Sequence, residues 1–183
     1  MAPNWFIAFP MQVEGLRLVP EPPPRVRVFG SADRHCTLGF LGSVTEADAR
    51  RAWSRVPDLV NSEAVTGSFV EVKPLGNPRK PSALSAMVGD GRESLSAIIE
   101  HARGPLLEAA GAPPDERPPL PHMTLARIQR RASAGERRAA LRWAESLKLA
   151  DTSFVASSVA LYTWADDRRE RLFQIVEQRG LGA

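Results

Sequence analysis

The sequence predicts one domain of mixed strands and helices, built as two similar lobes around a shared cleft. Three observations predict it. The tetrapeptide His-x-Thr-Leu occurs twice, as HCTL at 35–38 and HMTL at 122–125. Around each copy the same series recurs: a proline-bearing loop, a strand opening on the histidine, a capped helix and further strand. No stretch rich in Gly or Ser separates the two copies, so 1–183 reads as a single unit.

Each element has a local cause. Trp5–Phe9 is a short aromatic and β-branched run closed by Pro10, which predicts a strand. The stretch from Pro10 to Pro24 holds five prolines and predicts a loop, because proline brings no N–H to a ladder. His35–Leu41 stops at Gly42 and predicts a strand. Thr45 with Asp48 three residues on predicts a capped helix to about Val56. Thr66–Leu75 and Ala83–Val88 predict two strands. From about Glu93 to Ala110, Leu95, Ile98, Ile99, Ala102, Leu106 and Leu107 recur at helical spacing, and Pro105 should kink or divide that helix. Ala112–Pro121, again with five prolines, predicts loop, and His122–Ile128 a strand. Ser133 with Glu136 opens a helix to about Leu147. Phe154–Trp164 and Leu172–Val176 complete the strands.

Bulk properties narrow the function classes. The chain has 183 residues, 43% of them apolar and 25% charged, which fits a soluble globular protein. No apolar run reaches the roughly 18 residues a membrane helix needs, and Met1–Phe9 lacks the pattern of a secretion signal. A single cysteine, Cys36, excludes an internal disulfide and suits a reducing compartment, so the cytoplasm is expected. Net charge is +3 and the isoelectric point about 9.6. This suits a phosphate-bearing partner better than a basic one. The arginines cluster: Arg127, Arg130, Arg131, Arg137 and Arg138 follow the second motif, and Arg168, Arg169 and Arg171 lie near the C-terminus.

The doubled tetrapeptide carries the chemistry. From the Thr and Leu content, two copies among three histidines have a chance probability on the order of a few in 100,000. In a strand, side chains two apart share a face. His35 and Thr37 therefore point one way, with Cys36 and Leu38 behind them, and His122 and Thr124 are disposed likewise over Met123 and Leu125. Two such strands facing one cleft supply two imidazoles and two hydroxyls. Phosphate transfer uses that set, one imidazole taking a proton and the other giving one while hydroxyls hold the non-bridging oxygens. Other accounts of the same residues are a zinc site, which lacks a third ligand at suitable spacing, and a pair of core histidines, which would not require the repeated Thr. Cys36 is aimed away from His35, and His101 sits on the flank of its helix.

At these residues the chain resembles the two-histidine phosphoesterases, and among them most the RNA 2′,3′-cyclic phosphodiesterases also called 2′-5′ RNA ligases. The matching segments are FIAF near the N-terminus, RHCTLGFLG at 34–42, PHMTLARI at 121–128 and ALYTW at 160–164. The resemblance implies a bilobal α+β fold with pseudo-twofold symmetry, helices outside and a central cleft between two antiparallel sheets. It implies hydrolysis of a 2′,3′-cyclic phosphate at an RNA 3′ end, or on a nucleotide, to a 2′-phosphomonoester without metal or cofactor. The resemblance also implies reversible 2′-5′ joining as a side activity. Carried over, His35 is the general acid, His122 the general base, and Thr37, Thr124 and Arg127 bind phosphate. A monomer is expected. The chain departs from the family at Leu120, in the EPPPRVRV loop and at Thr163 and Trp164. Those departures leave open a related enzyme for 2′-5′-linked oligonucleotides or small cyclic nucleotides, and the arginines leave open a non-catalytic RNA-binding module.

Overall fold

A computed structural model describes residues 3–182; residues 1, 2 and 183 of the expected 1–183 unit lie outside the described residues. The fold is α+β, with two antiparallel sheets of four and six strands. In chain order the strands are β1 (Trp5–Pro10), β2 (Gln12–Glu14), β3 (Val26–Val28), β4 (His35–Gly42), β5 (Val65–Leu75), β6 (Ala83–Val88), β7 (His122–Ile128), β8 (Ser153–Ala156), β9 (Ser158–Trp164) and β10 (Phe173–Gly180). The helices are α1 (Glu46–Trp53), α2 (Val56–Leu59), α3 (Arg92–Ala109) and α4 (Ala134–Ser146). The first sheet runs β10-β9-β1-β4 and the second β2-β8-β5-β6-β7-β3. The two sheets are therefore not successive halves of the chain, because the N-terminal β1 pairs with the C-terminal β9.

β1 is central in its sheet and buried on both faces. Trp5, Ile7 and Phe9 enter the main core, whereas Phe6 and Ala8 join Ala160 and Tyr162 in a smaller cluster on the other face. That second face looks into the cleft. Helix α3 buries Leu95, Ile99, Ala102, Leu106 and Leu107 on the core side, the face its apolar spacing specifies. Capping boxes close both predicted helix starts, Thr45 with Asp48 and Ser133 with Glu136.

Several expectations are corrected. The Pro10–Pro24 segment is not all loop, since β2 pairs with β8 within it, and β3 follows it against β7. Both are three-residue strands, too short to show a period. The run at 154–164 is two strands broken at Ser157, and they serve different sheets. Pro105 does not divide α3, which continues to Ala109. The first capped helix ends at Trp53, with α2 as a separate turn, and the last strand extends to Gly180.

Candidate active site

The two motifs build the same local structure. Both β4 and β7 open on the histidine, and the Thr two residues on shares its face. Behind them Cys36, Leu38, Met123 and Leu125 are buried. Each strand then carries a bulge. In β4 the pairing with β1 skips Leu38, so Ala8 faces Thr37 and Ile7 faces Gly39. In β7 the pairing with β6 skips Leu125, so Ser85 faces Thr124 and Leu84 faces Ala126. One inserted residue reverses the alternation that follows. The residue five after each histidine therefore turns back to the cleft: Phe40 on β4 and Arg127 on β7.

His35, Thr37, His122, Thr124 and Arg127 all line one cavity of about 350 Å³ between the sheets. All five residues singled out in the sequence are thus brought together. Cys36 and His101 are not among them. Cys36 is 0% exposed on the core side of β4, and His101 is exposed on α3. The Cys36 thiol lies against the backbone of His122, so β4 and β7 touch directly behind the cavity. Burial raises that thiol to about 12, outweighing the hydrogen bond from His122, so Cys36 stays a neutral thiol.

Both rings are held in the same way. Nδ1 of His35 lies 2.8 Å from the backbone carbonyl of Asp33, and Nδ1 of His122 lies 2.6 Å from that of Leu120. A carbonyl only accepts, so Nδ1 carries the proton in each ring and Nε2 is left to the cleft. Nε2 then accepts a proton when the ring is neutral and donates one when it is charged.

Their surroundings differ. His35 packs among Phe6, Tyr162 and Phe173, with ring centroids 4.8, 5.3 and 5.4 Å away. Burial depresses its pKa to about 4, and the nearby His122 and Arg127 add to this, against the opposing effect of the Asp33 carbonyl. Burial lowers the pKa of His122 as well, partly offset by the Leu120 carbonyl. Both rings are neutral at pH 7.

The hydroxyls also differ. Ser85, fully buried across the ladder, lies 3.2 Å from Thr124 through their hydroxyl oxygens and fixes its rotamer. Thr37 faces Ala8 at the corresponding place. Arg127 is exposed, and its pKa is lowered by desolvation and by Arg168. Arg168, on the turn between β9 and β10, lies over the Trp164 ring at 4.5 Å and lines the same cavity.

Sequence reasoning missed Phe40, Ser85 and the aromatic surround of His35. A strict alternation puts Phe40 behind the sheet, and only the bulge exposes it, to 55%. Arg127 has the same parity problem and came from the resemblance alone.

No family model matches the chain. RNA 2′,3′-cyclic phosphodiesterase of Bacillus subtilis is 30% identical over 96 residues, 52% of this chain and 51% of that protein. The match thus spans about half the length of this curated relative. Among solved structures, Escherichia coli LigT complexed with 3′-AMP superposes with a TM-score of 0.68 at 16% identity, covering 100% of both chains. A structure described as a phosphoesterase gives 0.67 at 16% identity over 100% of both chains. A Thermus thermophilus protein gives 0.66 at 19% identity over 97% of both. The resemblance first seen in two tetrapeptides therefore extends to the whole architecture, and this chain has the two-histidine phosphoesterase fold of the LigT proteins.

Proposed function

We propose that the protein is a metal-independent phosphodiesterase that opens 2′,3′-cyclic phosphates at RNA 3′ ends to 2′-phosphomonoesters, acting as one bilobal unit. One observation carries this: two imidazoles with the same i−2 carbonyl partner line one cavity with two hydroxyls and an arginine. The similarity to the Bacillus subtilis cyclic phosphodiesterase supports the choice of substrate.

Thr37, Thr124 and Arg127 bind the non-bridging oxygens and neutralise their charge. Nε2 of His122 takes a proton from water as its oxygen bonds to phosphorus. The bond from phosphorus to the 3′-oxygen breaks, and Nε2 of His35 gives that oxygen its proton. The 2′-ester bond survives, so the product is a 2′-phosphomonoester. With the 5′-hydroxyl of a second RNA end attacking phosphorus in place of water, the same proton transfers and the same break of the bond to the 3′-oxygen join the two ends through a 2′-5′ linkage. Phe40, exposed at the cleft mouth, offers an apolar face to the terminal base.

One observation favours the exchanged roles. His35 sits in the aromatic surround and holds a proton less readily than His122, which suits His35 as base and His122 as acid. A substrate whose 3′-leaving atom is sulfur, which needs no proton, separates the two. It restores the rate of whichever histidine variant lacks the acid.

Phosphorus NMR of a nucleoside 2′,3′-cyclic phosphate incubated with the protein and a chelator tests the proposal. The 2′-phosphate is the expected sole product. A 3′-phosphate, or turnover only after metal is added, contradicts it.

A further inference from the structure

A second groove, of about 470 Å³, shares Arg127 with the histidine cavity and continues beyond the far end of β7. It is lined by Arg27, Lys80, Arg127, Arg130 and Arg137, with no carboxylate among its lining residues. Two of these guanidiniums are fixed by backbone carbonyls. Arg137 donates to those of Pro81, Gln129 and Arg130, and Arg27 to those of Arg168 and Arg169. Carbonyls orient a guanidinium without cancelling its charge. Among the described residues, none of the five cations is in a salt bridge. Five like charges in one groove repel one another, an arrangement an anionic ligand relieves.

The charge exceeds what one cyclic phosphate needs. Arg127 lines both the histidine cavity and the groove, whereas Lys80 and Arg130 line only the groove. A phosphate held at the histidines is out of their reach, so they meet other phosphates. A 2′,3′-cyclic phosphate ends a chain at its 3′ side, so any further phosphates lie 5′ of it.

Resting on the function proposed above, we propose that this groove holds the phosphodiester backbone on the 5′ side of the reacting nucleotide. The preferred substrate is then a single-stranded oligoribonucleotide rather than a mononucleotide. Lys80 and Arg130 make backbone contacts that carry no sequence preference, and Arg127 joins groove to cleft.

The test compares wild type with Lys80→Ala/Arg130→Ala on a mononucleoside 2′,3′-cyclic phosphate and on a short RNA ending in the same group. Wild type is expected to favour the RNA at low salt. The double variant is expected to lose about tenfold in kcat/KM on the RNA and to hold within about twofold on the mononucleotide. Its salt dependence on the RNA becomes shallower by about 1.4 in log-log slope, for two lost single-strand contacts. Equal kcat/KM for both substrates in wild type, or an equal loss on both in the variant, overturns the groove. Anisotropy of a labelled RNA keeps the two proposals apart. If neither substrate turns over but the variant binds RNA about tenfold more weakly, the groove stands and the hydrolytic function falls. Unchanged binding overturns the groove regardless of turnover.

Discussion

The carboxylate of Asp33 accepts the backbone N–H of Leu172 at 2.9 and 3.0 Å, joining the start of β4 to the start of β10 across the four-stranded sheet. Asp33 is 3% exposed and also accepts from the backbone N–H of Phe173, whose ring stands at right angles to that of His35. Its own carbonyl orients the His35 imidazole. One residue thus sets both the ring and the wall beside it.

Asp33→Ala leaves two backbone donors without a partner. The expected cost is about 2–4 kcal/mol in chemical denaturation, with Asp33→Asn losing about half as much. An unchanged midpoint in the alanine variant would show that the tie is not formed.

The pH dependence of stability follows from the depressed histidines. An unfolded His35 takes up a proton near pH 6.5, whereas the folded one resists until about 4. The unfolded chain therefore binds more protons between those values, and stability is lost as pH falls from about 6.5 to about 4. His35 accounts for about 2 kcal/mol of that loss, allowing for the ring's partial exposure. His35→Ala should flatten the slope measured by urea melts, leaving the smaller part due to His122.

The proposed mechanism needs one ring charged and one neutral, whichever does which. In the free protein that state peaks between the two depressed values, so kcat/KM should be bell-shaped with its maximum between about pH 4 and 6.5. A maximum above pH 8 in a full profile would contradict the assignment of both limbs to these imidazoles.

The hydroxyl and aromatic contacts give graded effects. Ser85→Ala releases the Thr124 rotamer and should lower kcat/KM by roughly 2- to 10-fold, the worth of one hydrogen bond. Thr124→Val should lose more, because it removes the donor itself. Phe40→Ala should raise KM by roughly 5- to 30-fold, about 1–2 kcal/mol of stacking, with kcat little changed and Phe40→Trp close to wild type. An unaltered KM in Phe40→Ala would mean that no base rests there.

What the sequence made legible were features written in local chemistry. The repeated tetrapeptide located His35, Thr37, His122 and Thr124, and the capping pairs at Thr45 and Ser133 located two helix starts. Features fixed by pairing partners were not legible. Nothing within β4 or β7 announces the inserted Leu38 or Leu125, because a bulge is defined by the strand opposite. Phe40 was therefore invisible as a cleft residue. The split at Ser157 was hidden likewise, since the apolar character of 154–164 is continuous while its two parts pair in different sheets. Ser85 acquires its role only by lying opposite Thr124.

The most direct test of the central claim is kcat/KM on a nucleoside 2′,3′-cyclic phosphate, with chelator, for wild type, His35→Ala, His122→Ala and the double variant. Acting as one acid-base unit, each single variant should fall on the order of 10²- to 10⁴-fold, and the double no more than about tenfold below the slower single. Near wild-type activity in either single variant would contradict a shared proton-transfer pair.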